Sequence, residues 1–404
     1  MPWRKTMNLL YTTLIPFLIA AFAMPGFCNE NWERHTIDDS SRGADGVRLG
    51  DLNHDGFQDI ATGWEEGGRI RVYLNPGPDE VKQKWPAVTV GKVKAPEDAV
   101  FANLNSDNIL DVVSCCEGNE KTIWFHWAPK AMEALLNPSA WQSQALAPSI
   151  NRQRWMFCVP LQVDGKNGVD LVVGGKHPHA QVGWFQAPPN PQNINKWQWH
   201  SLYDASWIMS ILLEDMDKDG DEDIVFSDRK DPKTRGCFWL ENPGSAKSES
   251  EWPLHKISQS DREFMFMTVD DLDGDGLKDV LVSAKRQKIL YYRQTQNQWV
   301  EHSIPMPKSS GTAKAVRVRD VNMDGKNDLI FTCEHADNKP GIMWLSYKTS
   351  PTDSQWQAHD IGGKLGTKYD LIELLDLDND KDVDIITCEE RDNLGVIWYE
   401  NPTR

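Results

Sequence analysis

Residues 271–284 read DLDGDGLKDVLVSA, an acidic nine-residue loop of the form D-x-[DN]-x-[DN]-G-x-x-D that runs straight into a short apolar strand. The loop occurs five times: Asp51–Asp59, Asp215–Asp223, Asp271–Asp279, Asp320–Asp328 and, with Lys381 in place of its glycine, Asp376–Asp384. Two eroded copies, Asn103–Asp111 and Gln162–Asp170, bring the number to seven, and successive starts lie 52, 59, 53, 56, 49 and 56 residues apart. Oxygen side chains at alternate positions suit a hard cation such as calcium, and glycine at the sixth position frees the backbone for a turn that a Cβ resists. One such loop is a common chance match. Five at a near-constant period mean one loop per structural unit.

Other elements recur in step. A segment W-x-x-h-x-h starts at Trp32, Trp85, Trp141, Trp197, Trp252, Trp299 and Trp356, and its fourth residue is His35, His200, His255, His302 or His359 in five copies. Its alternation is that of a strand. Each acidic loop is followed by an apolar run such as Val280–Val282, then by a third run such as Phe238–Leu240 that often closes in Asn-Pro. A short apolar strand such as Val47–Leu49 precedes each loop. Four short strands repeated seven times predict an all-β, seven-bladed β-propeller. The blades fall at about 46–90, 98–146, 155–202, 208–257, 264–304, 314–361 and 369–402, with 32–37 joining the last to close the ring. Closure removes exposed sheet edges. The one helical candidate is Pro129–Leu136.

The 404 residues are 40% hydrophobic, enough for a real core, and the period leaves no room for a linker, so residues 29–404 read as one domain. A net charge of −17 without a basic stripe excludes a nucleic-acid partner. Arg4 and Lys5, the apolar stretch Leu9–Ala23 and its Ala-Phe-Ala end predict a signal peptide over residues 1–28, cleaved near 23–28, and hence export to the periplasm or the extracellular space. Pro25-Gly26-Phe27 before Cys28 lacks the small residues of a lipidation signal. No other segment is long and apolar enough to span a membrane. Six later cysteines match no zinc spacing; they read as buried thiols or, for the vicinal Cys115 and Cys116, as partners in a disulfide.

The acidic loops resemble those of FG-GAP/VCBS-repeat propellers, the group that includes the integrin α-subunit head, over nearly all of the chain after residue 28. The Phe-Gly and Gly-Ala-Pro dipeptides that name the group are missing. The resemblance implies about five structural calcium ions, held by the first, third, fifth and ninth side chains and the seventh carbonyl. Residue by residue these are Asp51, Asn53, Asp55 and Asp59; Asp215, Asp217, Asp219 and Asp223; Asp271, Asp273, Asp275 and Asp279; Asp320, Asn322, Asp324 and Asp328; Asp376, Asp378, Asp380 and Asp384. Blade two offers two carboxylates, Asp107 and Asp111. In blade three Lys166 stands at the fifth position, where its ammonium would replace the ion.

The loops occupy one face of the ring, so any other site belongs on the opposite face. There the second strands of blades three to five end in basic groups, Lys176, His177, Arg229, Lys230, Lys285 and Arg286, whereas those of blades one, two, six and seven are mainly acidic. Trp155, Trp207 and several Met and Phe residues enter the inner strands of the basic blades. Cations interleaved with aromatics suit a carbohydrate or protein ligand with anionic groups; alternatively the Met and Phe residues fill the axial channel and the charges are solvated. No nucleophile motif is present. If the protein is an enzyme, the reading is a polysaccharide lyase or sugar dehydratase, with His177, Tyr369 and Lys314 as candidates for base, acid and charge neutraliser. Some polysaccharide lyases and a fungal sugar dehydratase share this type of propeller, a likeness of fold alone. The repeating histidines read as structural.

Overall fold

A computed structural model describes Met1 and residues 31–404 except 259–261, 286–287 and 297. The signal peptide expected over residues 1–28 and Arg286 therefore lie outside the described residues. Seven four-stranded antiparallel sheets form the blades of a β-propeller. The inner strands are Ala44–Gly50, Pro96–Ala102, Arg154–Leu161, Ile208–Glu214, Phe264–Asp270, Thr312–Arg319 and Tyr369–Leu375. Every second strand begins at the ninth residue of its loop: Asp59, Asp111, Asp170, Asp223, Asp279, Asp328 and Asp384. The seventh sheet takes its outer strand from the start of the chain, Glu33–Asp38, paired with Gly395–Glu400 through Glu33↔Glu400 and His35↔Trp398. In place of a helix over Pro129–Leu136 there are one-turn 3-10 segments, Met132–Ala134 and Pro138–Ala140. No helix among the described residues is long and apolar enough to cross a membrane.

The repeating residues have repeating contacts. The ninth aspartate is buried in all seven blades and staples the loop to the end of the third strand. Asp59 accepts from Leu52 N and Asn75 N, Asp223 from Met216 N and Asn242 N, and Asp384 from Leu377 N and Asn401 N. The eroded blade three keeps this staple, with Val163 N and Ala187 N donating to Asp170. The Asn-Pro corners follow from it: Asn75 and Asn242 also donate from Nδ2 to Gln58 O and Glu222 O, closing the same corner. The outer-strand histidines lie on third-strand tryptophans, His35 on Trp398, His200 on Trp184, His255 on Trp239 and His359 on Trp344, with ring centres 3.8–4.3 Å apart. They are cross-strand packing pairs.

All six later cysteines are buried free thiols. Strand alternation sends Cys115 and Cys116 to different sides of their sheet, into separate hydrophobic clusters. The axial channel is filled. Phe157 of blade three meets Phe266 of blade five at 5.7 Å, and Met156, Met209 and Met265 are buried beside them. The Met and Phe residues of the inner strands are therefore core and not ligand surface.

Candidate functional site

Each inner strand carries a register shift where it enters the ring, for example between Asp45 and Arg48, Ala313 and Val316, and Tyr369 and Ile372. A bulge adds one residue and re-aims its neighbours. Seven of them, on the face opposite the acidic loops, direct polar side chains of different blades at one another.

On the basic side, Glu117, Arg154, Lys176, His177, Trp207 and Lys230 line a cavity of about 360 Å³. The Trp207 ring has Lys176 Nζ and Arg229 Cζ 4.7 Å from its centre and Lys230 Nζ at 5.6 Å. Its indole N–H is buried with no acceptor. Lys176 pairs with Glu117 and, at 3.4 Å, with Glu97. Arg229, Lys230 and Lys285 share Glu263 at 3.4, 3.3 and 3.8 Å, and Lys285 also reaches Glu334 at 4.0 Å. Arg154 has no carboxylate partner among the described residues, and its buried Nε is unpaired. The cavity thus keeps a surplus of positive charge and two unused donors. With three cations around it, Trp207 is a platform for charge more than an open stacking surface.

Beside this cavity, on the acidic side, the carboxylates of Asp45, Glu65 and Glu97 converge, as do those of Asp45, Asp370 and Glu390, with all ligand atoms of each group within 4.8 Å. Lys314 pairs with Asp370 and Lys368 with Glu390. Burial and the neighbouring Asp370 charge push the Asp45 carboxyl well above its ordinary range. Burial opposes ionisation of Asp370 too, but Lys314, Asp45 and Lys368 together outweigh it and hold that group down to about 2. The two neighbouring carboxyls are thus shifted in opposite directions, Asp45 up and Asp370 down. Burial, Glu97 and Glu390 raise Glu65.

The residues expected to form the site fare differently. Lys176, His177, Trp207 and Lys230 meet in the cavity, and Arg229 and Lys285 stand beside it. Trp155 belongs to the core instead: it is 0% exposed, donates to Ser149 O and packs on Phe185 and Trp199. Alternation along that strand turns Arg154, the neighbour overlooked in the sequence, toward the cavity. Tyr369 is 0% exposed and donates to Leu365 O at 2.6 Å; burial and the Tyr399 hydroxyl raise its pKa. Lys314, 5% exposed, is held protonated by Asp370 against its burial. Neither is among the residues that line the cavity. Glu263, the shared counter-ion, immediately precedes the inner strand Phe264–Asp270.

Backbone N–H groups bond to the carboxylates within each acidic loop. Asp51 accepts from Asp55 N and Gly56 N at 3.1 Å, Asp215 from Asp219 N and Gly220 N at 3.1 Å, and Asp376 from Asp380 N and Lys381 N at 3.1 Å. Lys381 takes φ +79°, the left-handed conformation that Gly56 and Gly220 adopt freely. Asp215, Asp217 and Asp223 offer oxygens within 4.8 Å of one another, a set fit for a hard cation. In blade three Lys166 Nζ lies 3.6 Å from Asp164, and Gln162 donates to Gly168 O, a donor set unsuited to a cation.

A family model described as FG-GAP-like repeat matches residues 51–114 and 271–331. No curated protein matches the chain. Among solved structures, that of Saccharomyces cerevisiae Sqt1 aligns over 92% of this chain and 100% of that one, with a TM-score of 0.54 at 8% identity. A structure of BBS1N in complex with ARL6DN, soaked with mercury, aligns over 93% and 98%, with a TM-score of 0.52 at 11% identity. At such identities the likeness is one of fold.

Proposed function

We propose that this chain, a seven-bladed β-propeller carrying FG-GAP-like repeats, is an exported, calcium-stabilised binding module whose ligand is a carbohydrate or protein bearing carboxylate or sulfate groups. The observation that carries the reading is the cavity around Trp207, where Arg154 and the indole N–H stand unpaired among cations. An anion entering it would gain a forked guanidinium donor and would compete with Glu117 for Lys176. The cavity is of the size that small-molecule sites occupy, so one or two sugar units or an acidic side chain would fill it.

Calcium would be held in blades one, four, six and seven by the loop carboxylates named above. It would neutralise part of their charge and tie the inner strand to the second strand.

Calorimetric titration with uronate and sulfated oligosaccharides, with neutral ones as controls, tests the reading. Arg154→Ala and Trp207→Ala should each weaken binding of the anionic series while leaving the fold intact; equal affinity for neutral sugars would refute it. The enzymatic alternative keeps only His177 of its three candidates, since Tyr369 and Lys314 are buried. Unsaturated ends appearing in the ultraviolet during the titration would favour a lyase.

A further inference from the structure

A guanidinium pairs with two of the four side chains that would ligate an ion in the fifth loop, although Asp271, Asp273 and Asp279 still bring oxygens within 4.8 Å of one another. Arg293, on the third strand of blade five (Lys288–Gln294), donates from Nε to Asp273 Oδ2 and from Nη2 to Asp275 Oδ2, the latter at 2.9 Å. These are the third and fifth side chains of the loop. Their other oxygens are engaged as well: Asp273 Oδ1 accepts from Asp275 N at 3.3 Å and Asp275 Oδ1 from Leu277 N at 2.9 Å. Asp279 Oδ2 receives the Tyr291 hydroxyl at 3.0 Å. In blade four, Asp217 and Asp219 have no cationic side chain within ion-pair distance among the described residues, and each accepts from one backbone N–H.

The position of Arg293 is a register of the fold. It immediately precedes the residue whose N–H reaches the ninth aspartate, here Gln294 N to Asp279. The same register holds Leu74 in blade one, Gln186 in blade three, Glu241 in blade four and Glu400 in blade seven. It faces the third loop position. Gln186 donates to Asp164, and Glu400 reaches Asp378 through Lys82, which lies 2.8 Å from the one and 3.3 Å from the other. Lys82 is thus neutralised by Glu400, whereas among the described residues Arg293 pairs with the loop carboxylates alone.

We propose that Arg293 is a tethered cation standing in for calcium, so that blade five, which matches the loop motif in full, binds no ion while the arginine is present. The register it occupies sets ion occupancy blade by blade. A fork of donors fits two carboxylates and, being attached to the chain, sacrifices no translational freedom. Weak calcium loops have dissociation constants of roughly 0.1–1 mM, and a tethered group acts at an effective concentration of about millimolar or more. Calcium entering the loop would have to displace the guanidinium from Asp273 and Asp275.

The inference rests on calcium binding by the other loops, and ion counting separates the two. The full chain in millimolar calcium would be analysed by native mass spectrometry, with circular dichroism as the check on folding. Arg293→Gln should carry one more calcium per chain than the wild type. Glu241→Arg, which moves the cation into blade four, should carry one fewer, whereas Glu241→Gln should keep the wild-type number. Equal calcium in the wild type and Arg293→Gln, or no loss in Glu241→Arg, would overturn the role of the register. A wild type that binds no calcium would overturn the calcium reading and this inference together.

Discussion

Blade three allows the buried aspartate staple to be measured apart from any ion. Asp170 is buried and accepts from Val163 N at 3.0 Å and Ala187 N at 2.8 Å, in a loop where Lys166 occupies the fifth position. Two hydrogen bonds to a carboxylate contribute roughly 3–6 kcal/mol. Burial outweighs those bonds in the carboxyl's ionisation and leaves it raised to about 6. Asp170→Ala also orphans two buried N–H groups at a cost of about 1–3 kcal/mol each. The two orphaned groups set the expected loss at about 2–6 kcal/mol. Urea denaturation at neutral pH should show it undiminished in calcium and in chelator alike. Asp223→Ala, in a loop with four carboxylates, should cost the same in chelator and about 1.4 kcal/mol more when calcium stands at ten times its dissociation constant. A loss below about 1 kcal/mol for Asp170→Ala, set against those bond strengths, or one that depends on calcium, would refute the staple.

Three further outcomes are expected. His126, buried between Ser114 Oγ and Ser143 Oγ, is lowered by burial to about 3; its neutral form is favoured on folding, so the stability it supports is full above about 6.5 and falls with pH, by about 2 kcal/mol at pH 5, and His126→Gln should flatten that slope in melts from pH 7 to 5. Deleting Asn31–Asp38 should strip the last blade of its outer strand and cause aggregation seen by light scattering; monomeric protein of unchanged melting temperature would contradict closure. Excess chelator should lower the melting temperature of the wild type, because ions bound only by the folded state stabilise it by mass action; an unchanged melt in protein shown to be metal-free would remove calcium from the account.

The number of blades, their strand order and the closing strand were legible in the sequence because each rests on local rules repeated seven times: alternation in a strand, a ninth aspartate at every loop, a tryptophan at or just before the start of every outer strand. The cationic cluster on the opposite face was legible in part, since second-strand ends must emerge there. What could not be read was direction and pairing. Arg154 and Trp155 are adjacent, and only the sheet's orientation sends the arginine to the cavity and the tryptophan to the core. Likewise Asp45, Lys314 and Asp370 come from three blades and meet through bulges that follow no sequence pattern. Arg293 carries the same lesson: its loop matches the motif letter for letter, and only a contact from the third strand shows a cation already there. A period repeats what each blade does for itself. Charges that neutralise one another across blades are set by distance in the folded ring, which sequence spacing does not encode.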